Sequence, residues 1–392
     1  MTAVDGIDAL RTIRPVDVAE LRAAVREIAA SGEALVATGL GAHLDIGAPP
    51  RRLDVIVALD RVARIVDHQA ADMTVTVEAG CSLAVLARTL AAAGQWLPLD
   101  PPRPAETTVG GLVAANLSGP LRASQGTVRD LLLGLRIVDG EGRLVSGGGK
   151  VVKNVAGYDL PKLHVGALGT LGVIVEATFK VRPRPEREAA VVLRAAAPDD
   201  AARIALAVRD AIDPFWLEAG TFEDGAAAVV GVGGTSPELT AMRCTIDDVA
   251  GPRATAIEWH DDGEALRVGL GGFAVEPCVA VLRASVLPGD VPWAIARMRA
   301  LAADRPVLAH VANGVVRCRL DDATMVPHVL SVLRSEVEAR GGFVVVERAL
   351  ATVKPNVDVW GHPGEGLALM RRVKAAFDPR DLFAPGRYVG GL

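Results

Sequence analysis

Cysteine is scarce in this sequence, and its positions exclude several kinds of site. The 392 residues include four cysteines, Cys81, Cys244, Cys278 and Cys318, and no two of them form a Cys-x-x-Cys pair. Structural zinc sites and iron–sulfur clusters need several thiolates at close spacing, so the sequence predicts neither. Scattered cysteines are typical of the reducing cytoplasm rather than of a disulfide scaffold. We therefore expect a cytoplasmic protein.

Aromatic residues and a strong excess of charge are also missing. Aromatic residues make up 4% of the chain, with two tyrosines, and 42 Lys and Arg stand against 47 Asp and Glu, a net charge of −5. Single-stranded nucleic acids are bound by aromatic stacking platforms in basic grooves, and duplexes by basic surfaces. The composition therefore excludes nucleic acid as the expected partner.

Long apolar runs are absent although the chain is rich in apolar residues. Hydrophobic residues make up 50% of the sequence and the mean hydropathy is +0.31, yet no apolar run reaches the ~18 residues of a membrane-spanning helix. The first residues, MTAVDGIDALRTIRP, contain acids and no apolar core of a signal peptide. The length predicts two or three domains, at roughly 150 residues per domain.

Glycine is abundant, and it concentrates in the first half of the chain. Many of the 41 glycines lie between positions 32 and 172, in three segments: 38–47, 107–119 and 150–183. In the first, TGLGAHLDIG, a Gly-x-Gly turn after a predicted strand would expose consecutive backbone N–H groups to an anion such as a pyrophosphate. A plain turn is the alternative. Neither the Rossmann fingerprint nor the P-loop spacing is present.

The hydrophobic pattern predicts an α+β protein with a boundary near residue 185. A charged, Pro-containing segment, 182–188, is interpreted as a linker, and the mixture of strand-like and helix-like segments in 189–350 indicates an antiparallel sheet with helices. A hairpin is predicted to turn at Gly140–Gly142. The predicted helices are 16–30 with Asp17 near its start, 82–94 between an N-cap Ser82 and a stop at Gly94, a short helix opening in 110–119, 199–212 and 365–378; the predicted strands are 34–39, 54–59, 73–80 and 172–183.

The order of several motifs carries a family resemblance. The stretches VEAGCSLAVLARTLAAAGQWLPLDPP, TTVGGLVAANLSG, KNVAGYDLPKL and GALGTLGVIVEATFKVRP occur in this order, and WGHPGEGLALMRRVKAAFDPRDLFAPGRYVGGL ends the chain. This series resembles the FAD-binding domain of the vanillyl-alcohol-oxidase/PCMH flavoprotein superfamily, and within it the FAD-binding E subunits of bacterial glycolate oxidases. The resemblance implies a two-subdomain PCMH-type FAD-binding domain in 1–185, an α+β cap domain with an antiparallel sheet in 186–353, and a C-terminal segment, 354–392, that returns to the FAD domain.

The same resemblance implies FAD as the cofactor and places its contacts. The implied residues are the pyrophosphate loop Thr38, Gly39, Leu40, Gly41, Ala42 and His43; Asp100, Pro101, Thr108, Gly110 and Gly111 at the diphosphate and ribityl region; Ala115, Asn116 and Gly119 near the flavin; Lys153, Asn154 and Tyr158 on the KNxxGYDL element; and Val173 and Ile174 at the adenine. Some members of the superfamily attach FAD covalently through a histidine of the first loop. The order Gly41-Ala42-His43 departs from their Gly-Gly-His, which favours non-covalent FAD.

Oxidation of a 2-hydroxy acid sets requirements that a few residues can meet. A cation must hold the carboxylate, a base must take the hydroxyl proton, and the flavin must accept the hydride. Arg283, Arg317 and Arg348 are candidate carboxylate clamps, because a guanidinium binds a carboxylate in a bidentate way, and His310 is the candidate base. The alternatives are surface or interface charges for the arginines and a hydrogen-bonded core histidine for His310.

A metal centre is not expected. The related catalytic D-type subunits carry a His-rich metal site, of which this chain keeps His310 and Asn313-Gly314, whereas the second histidine of the motif is replaced within 315–317. The stretch 360–366 holds a single histidine, His362. These residues do not supply the four or so ligands that a bound metal needs.

The resemblance also implies partners. Such subunits work beside a homologous catalytic flavoprotein subunit and an iron–sulfur subunit, so we expect electrons to leave this chain through a partner, a quinone or oxygen, and any membrane association to run through the partners. The expected function is that of the FAD-binding subunit of a glycolate (2-hydroxy acid) oxidising complex. The alternatives are a self-sufficient FAD-linked 2-hydroxy acid dehydrogenase and a non-catalytic assembly subunit.

Overall fold

The computed structural model describes residues 3–149 and 159–392, which divide into two compact units. Of these residues, the N-terminal unit takes those up to Ser118, from Thr127 to Arg184 and from His362 to Leu392, and the middle unit takes Gly119–Gly126 and Pro185–Gly361. The expected boundary at 185/186 lies one residue from the observed one. The short segment 119–126 joins the middle unit, because the Ser124 hydroxyl donates to the Phe215 carbonyl at 2.6 Å.

The C-terminal return starts later than the expected residue 354. Residues 354–361 stay with the middle unit because hydrogen bonds to their backbone hold them there. The Val346 N–H donates to the Val359 carbonyl at 2.9 Å, and the Arg334 guanidinium donates to the Asp358 carbonyl at 2.6 Å. The chain rejoins the N-terminal unit at His362.

Strands of the N-terminal unit form a parallel sheet of three strands and an antiparallel sheet of five. The orders are β3-β5-β4 and β10-β9-β11-β7-β6, and two strand pairs, β1-β2 and β8-β12, accompany them. Numbered along the whole chain, the strands are β1 Ala3–Val4, β2 Ile7–Asp8, β3 Arg11–Ile13, β4 Leu35–Thr38, β5 Val55–Ala58, β6 Ile65–Gln69, β7 Thr74–Glu78, β8 Gln95–Trp96, β9 Leu132–Val138, β10 Leu144–Gly148, β11 Val173–Lys180 and β12 Arg182–Pro183. The four predicted strands and the hairpin are confirmed.

The first two helices of the N-terminal unit begin at side-chain caps that the sequence shows. The Asp17 carboxylate accepts the Glu20 N–H and starts the first helix, and Ser82 caps the second. The predicted stop at Gly94 is wrong: the second helix ends at Ala91, because the amides of Ala93 and Gly94 bond three residues back and tighten the last turn. The helices are α1 Val18–Ser31, α2 Leu83–Ala91, α3 Val109–Ala115, α5 Val128–Leu131, α6 Pro161–His164 and α12 Leu367–Phe377.

The core of this unit is aliphatic. Leu21, Val25 and Ile28 recur along one face of α1 and are buried against the sheets, with Phe179 and Phe383 among the largest enclosed side chains. A stripe at this spacing is what a helix needs in order to bury one face against a sheet. The core therefore supports the loops that follow the strands.

The middle unit is one antiparallel sheet covered by helices. Its strand order is β16-β13-β15-β14-β18-β19-β17-β20, which confirms the predicted α+β arrangement. The strands are β13 Arg187–Ala195, β14 Trp216–Phe222, β15 Gly225–Gly234, β16 Ala256–His260, β17 Ala280–Ser285, β18 Val307–His310, β19 Val315–Leu320 and β20 Phe343–Ala349; the helices are α4 Arg122–Gln125, α7 Pro198–Ala211, α8 Ser236–Ala250, α9 Gly263–Gly271, α10 Val291–Leu301 and α11 Val326–Glu338.

The predicted linker 182–188 is not an irregular connection. Arg182–Pro183 pairs with β8, and β13 already starts at Arg187. Proline is tolerated at the end of such a short edge strand, because no further ladder hydrogen bond is needed there. Three residues, 184–186, separate the two strands.

A buried histidine makes the N-terminal unit acid-sensitive. His164 is 4% exposed, and its ring meets the Phe377 ring edge to face at 5.2 Å between centroids. Burial lowers its pKa from 6.5 to about 4. Between these two pKa values the unfolded chain binds a proton that the folded chain does not, so stability falls as the pH drops.

We expect this histidine to cost about 2 kcal/mol of unfolding free energy on going from pH 7 to pH 5, and about 3 kcal/mol by pH 4. Urea unfolding of the full chain at several pH values between 7 and 4 measures this loss of unfolding free energy. His164→Leu should remove the part of the pH dependence that the histidine causes. The exposed His260 provides the control variant His260→Leu. An unchanged slope in His164→Leu would contradict the assignment.

Candidate cofactor and substrate sites

A cavity that is open to solvent lies in the N-terminal unit. Its wall comes from three places: the loop after β4, helix α3 with the residue before it, and the loop that precedes β11. Among the residues expected to contact FAD, those that line it are Thr38, Gly39, Leu40, Gly41, Ala42, His43, Thr108, Gly110, Gly111, Ala115 and Ile174. Three Gly-rich segments that are far apart in sequence therefore meet at one cavity.

The loop after β4 is shaped for close backbone approach. A Cβ at Gly39 would stand 2.2 Å from the Thr108 hydroxyl oxygen, so no other residue fits without displacing that helix cap. Gly41 has φ +86°, a left-handed conformation that glycine adopts without strain. The loop thus presents main chain rather than side chains to the cavity, as a phosphate-binding turn does.

A hydrogen-bonded chain fixes the His43 imidazole. The Thr107 hydroxyl donates to the Pro102 carbonyl at 3.0 Å, and its oxygen lies 2.6 Å from His43 Nε2. Which group donates in the second contact depends on the tautomer of His43. The proline-containing segment 97–108 therefore supports His43. Asp100 and Pro101 belong to this segment and do not line the cavity.

Helix α3 reaches the cavity because its glycines allow it to pack against β7. The Thr108 hydroxyl accepts the Gly111 N–H at 3.2 Å and caps the helix. The Gly110 N–H donates to the Ala79 carbonyl at 2.7 Å, and a Cβ at Gly110 would stand 2.9 Å from the Ala79 Cβ. Gly110 therefore permits a close contact between α3 and the residue that follows β7, which a side chain would push apart.

The loop before β11 closes another side of the cavity. Leu168 and Gly169 both have positive φ, +52° and +75°, and the Leu168 N–H donates to the Ala114 carbonyl at 2.8 Å. A Cβ at Gly169 would meet nothing within 4 Å, so this position faces open space. Gly39 lets the first loop lie directly against Thr108, and Gly169 leaves the wall open where a side chain would otherwise stand. Both features fit a flat dinucleotide such as FAD.

Arg387 also lines the cavity, although it is not among the residues expected from the sequence to contact FAD. It is 3% exposed, lines the cavity, and donates to the carbonyls of Leu44 and Ile46 at 2.7 and 2.6 Å. Burial lowers its pKa, against the attraction of Asp5 and Asp45. A guanidinium nevertheless stays charged in proteins, so Arg387 braces the first loop and adds positive charge to the wall. The Pro-Gly-Arg-Tyr sequence of the tail is the available signal for it.

Several expected cofactor residues do not line the cavity. Val173 is fully buried in the core, because neighbouring residues of a strand point to opposite faces and Ile174 takes the cavity side. Asn116 ends α3 in a left-handed conformation, φ +49°. Gly119 belongs to the middle unit. Lys153, Asn154 and Tyr158 lie outside the described residues.

A second constellation lies on one face of the middle-unit sheet. Antiparallel pairing sets Glu218 opposite His310, and Arg283 opposite Arg317. Residues opposite each other share a face, and His310 pairs with Val315, which is two residues from Arg317 and so on the same side. The three candidate residues Arg283, His310 and Arg317 therefore come together.

Two buried pairs organise this face. His310 Nδ1 lies 2.5 Å from Glu218 Oε1, and Arg317 donates to both oxygens of Glu347 at 2.6 and 3.1 Å. Glu347 reaches Arg317 because the register of β20 against β17 skips it: Val281 pairs with Arg348, whereas Leu282 pairs with Val346. Such a bulge redirects a side chain, and the sequence alone does not indicate it.

The charges of this face set the protonation of its members. Burial, and next the positive charge of Arg317, lower the pKa of His310 well below 6.5, so that the imidazole is neutral at pH 7. Burial would raise the pKa of Glu347, but Arg317 and Arg283 overcome it and lower this pKa to about 2. The neighbouring Arg348 of β20 is 7% exposed. The face thus carries anionic Glu347, several guanidinium groups and a neutral histidine.

Metal-binding groups and membrane helices are both absent from the part of the chain that the structure describes. There, no three His, Cys, Asp or Glu side chains come together in a way that could hold a metal ion. Within residues 3–149 and 159–392, no helix combines the length and the apolar character needed to cross a bilayer.

Comparisons with known proteins agree with this geometry. The FAD binding domain family matches residues 9–148, and the C-terminal domain of FAD linked oxidases matches residues 362–388. The chain is 47% identical over 122 residues to the glycolate oxidase subunit GlcE of Escherichia coli (strain K12), which is 31% of this chain and 35% of that protein. The match thus spans about a third of GlcE.

Longer alignments reach more distant relatives. D-2-hydroxyglutarate dehydrogenase of Xanthomonas citri pv. viticola is 27% identical over 417 residues, 95% of this chain and 88% of that protein. The glycolate oxidase subunit GlcD of Bacillus subtilis (strain 168) is 26% identical over 392 residues, 90% of this chain and 83% of that protein.

A solved structure of an alkyldihydroxyacetonephosphate synthase has the same fold. It superposes with a TM-score of 0.72 over 96% of this chain and 77% of its own, at 16% sequence identity. With the FAD binding domain matched in its N-terminal unit, the chain is an FAD-binding protein, and it is similar to glycolate oxidase subunits and to a 2-hydroxy acid dehydrogenase.

Proposed function

We propose that this chain is the FAD-binding subunit of a complex that oxidises glycolate, or a closely similar 2-hydroxy acid, to the 2-oxo acid. The observation that carries the proposal is the cavity of the N-terminal unit, whose wall is built from three glycine-rich segments. The similarity to GlcE supports the choice of glycolate. The names of the other relatives, which include D-2-hydroxyglutarate and D-lactate dehydrogenases, support the wider substrate class, acids with a hydroxyl next to the carboxylate.

Chain groups around the cavity have separable roles in holding FAD. The main chain of Thr38–His43 is proposed to bind the pyrophosphate, and the charge of Arg387 to offset its negative charge, since charge-assisted hydrogen bonds are the strong ones. Ala115 and Ile174 offer apolar contacts to the ring systems. When bound, FAD supplies the two-electron acceptor for the hydrogen on the carbon of the substrate. Non-covalent FAD is the proposed state, because the order Gly41-Ala42-His43 departs from the Gly-Gly-His of the members that attach FAD covalently.

Electrons must leave the chain after each turnover. All four cysteines lie in the described residues, and none of them forms a disulfide. Cys81 and Cys318 are buried with raised pKa values, because burial disfavours their thiolates. A homologous catalytic flavoprotein subunit and an iron–sulfur subunit are the proposed partners, which fits the description of both GlcE and GlcD as subunits. The complex is proposed to work at the cytoplasmic side of the cell.

A self-sufficient FAD-linked dehydrogenase is the second candidate. Two observations favour it: the alignment with a dehydrogenase over 95% of the chain, and the arginine and histidine constellation of the middle unit. Purified chain alone that turns over glycolate or D-lactate with an artificial electron acceptor would support this candidate. Activity that needs the partner subunits would support the complex.

The visible spectrum of the purified full chain tests the proposal. We expect a flavin spectrum with about one FAD per chain, and a yellow supernatant with a colourless pellet after acid precipitation, because the proposed FAD is not covalently attached. A colourless chain that does not take up added FAD would overturn the proposed function. A yellow pellet would overturn the non-covalent state alone.

A further inference from the structure

A groove that is open to solvent lies beside helix α9 of the middle unit, and we call it the α9 groove. Its walls are α9, the turn between β14 and β15, the loop between β16 and α9, and parts of β18 and β19. Arg283, His310 and Arg317 are not among its lining residues. A Cβ at Gly269 would meet nothing within 4 Å, so α9 faces open space along this groove.

The floor of the α9 groove is apolar. It is formed by Leu266 and Leu270 of α9, Phe222 at the end of β14, Phe273 and Leu308. Leu308 and Phe273 are 3% and 9% exposed, whereas Leu266 and Leu270 are half-buried. The two leucines are four residues apart and therefore share one face of the helix. Covering such a face removes apolar surface from water, which is favourable.

Acidic side chains surround this floor. They are Glu223 and Asp224 of the β14–β15 turn, Asp261 and Asp262 before α9, and Glu276. Asp262 caps α9 by accepting the Ala265 N–H at 3.0 Å, and Asp224 is paired with Arg194 at 3.3 Å. These two carboxylates therefore already have partners within the unit.

The remaining rim keeps its negative charge. The Arg319 guanidinium pairs with Glu276 and lies over the Phe273 ring, 4.7 Å from its centroid, so this cation is engaged at one wall. Glu223 and Asp261 are exposed, and they have no ion-pair partner among the described residues. The α9 groove thus offers carboxylates beside an apolar floor.

We propose that the α9 groove docks a basic amphipathic helix of a partner subunit. An apolar floor with an acidic rim matches a helix that has apolar residues on one face and Lys or Arg beside them. Helix α9 has nine residues, a length of about 13 Å at the rise of an α-helix, so it can cover a helix of two to three turns. This inference rests on the proposed function, in which the chain works beside partner subunits, and adds the place and the chemistry of one contact.

The apolar floor and the charged rim have different effects on binding. Exposed ion pairs each contribute little, so most of the affinity must come from burial of the floor. The carboxylates of Glu223 and Asp261 raise the association rate with basic segments and disfavour acidic ones. Because salt screens exposed charges, binding should weaken as the salt concentration rises.

The probe for this groove is a peptide of about 14 leucine and lysine residues, with leucine at helical spacing, a length at which isolated helices begin to form. A rhodamine label keeps its signal apart from flavin fluorescence. Anisotropy titration with the purified full chain at low salt is expected to give one saturable site. The same peptide with glutamate in place of each lysine should bind at least about 30-fold more weakly.

Gly269→Leu tests the floor by filling the groove. Leucine favours a helix more than glycine does, so α9 should stay folded, and we expect the affinity for the lysine peptide to fall about 10-fold or more. Ala241→Leu, at an exposed position of α8 in the same unit, is the matched control and should bind as wild type does. Unchanged binding in Gly269→Leu, with wild-type thermal stability, would overturn the α9 groove as the docking site.

Glu223→Lys combined with Asp261→Lys tests the rim. We expect the affinity to fall about 10-fold at low salt and less at high salt, because the lost attraction is screened there. Asp213→Lys combined with Asp248→Lys changes the net charge equally, at exposed positions of the same unit outside the groove. An equal loss in both double variants would mean that net charge alone attracts the peptide, and would overturn the proposal.

The assembled complex and the flavin spectrum complete the test. Gly269→Leu should lower the fraction of chain that co-elutes with the partner subunits in gel filtration. A wild-type chain that self-associates, and that Gly269→Leu makes monomeric, would place a second copy in the groove and overturn a partner subunit as its occupant. A yellow wild-type chain that binds no lysine peptide would overturn the docking groove and leave FAD binding standing. A colourless chain would remove the proposed function, whatever the peptide does.

Discussion

Ala115→Leu is expected to yield a folded protein that has lost its FAD. Ala115 is partly exposed on the last turn of α3 and lines the cavity. Leucine is compatible with a helix, so its extra carbons enter the cavity rather than disturb the backbone. A bound ligand fills most of its cavity, so the leucine side chain would take space that FAD needs. We therefore expect the FAD affinity to fall at least about 100-fold, which corresponds to about 2.7 kcal/mol of binding free energy.

The measurement is the ratio of flavin absorbance to protein after gel filtration, followed by FAD titration of the apoprotein. Ala91→Leu is the control, because Ala91 is an exposed helix residue of α2 in the same unit. Thermal unfolding should be compared with wild type stripped of FAD, since bound ligand itself raises stability. Stoichiometric FAD in a folded Ala115→Leu protein would place the cofactor outside this cavity.

The second large effect concerns a buried ion pair that ties the C-terminal helix to the cavity. Lys374 on α12 donates to Asp378 at 2.6 Å, to the Thr170 carbonyl at 2.8 Å and to the Phe383 carbonyl at 2.9 Å. The two side chains are 7% and 0% exposed. Thr170 belongs to the loop that supplies Leu168 and Gly169 to the cavity wall.

Lys374→Met is expected to lower the unfolding free energy of the N-terminal unit by about 3–5 kcal/mol, because Asp378 is left as a buried charge without its cation. FAD retention should fall with it, since the loop before β11 loses its anchor. Urea unfolding followed by circular dichroism, with flavin fluorescence as the second probe, measures both effects.

Two further variants sharpen this prediction. Arg371→Met, at an exposed position of the same helix, should change stability by less than about 0.5 kcal/mol. The double variant Lys374→Met with Asp378→Asn should recover part of the loss, because the remaining amide is neutral. A single Lys374→Met variant as stable as wild type would show that the pair contributes little.

The sequence predicts well those helices whose position depends on interactions between residues near each other in the chain, such as helix caps and the spacing of apolar residues. Helix α1 follows from the spacing of Leu21, Val25 and Ile28 and from the Asp17 cap, and α2 from the Ser82 cap. The end of α2 was harder to predict, because Gly94 adopts the expected left-handed conformation, φ +68°, but two residues beyond the C-cap Ala92.

The sequence by itself predicted an FAD-binding α+β protein, because the glycine positions and the motif order that carry the family resemblance are properties of the chain that need no contact in space. Tertiary structure decided which residues meet. It brought Arg387 of the C-terminal segment to the first loop, and it turned Val173 into the core while Ile174 lines the cavity. It paired His310 with Glu218, 92 residues away in the chain. Such contacts depend on strand register and on a bulge, which are set by the packing of the whole sheet and not by any segment alone.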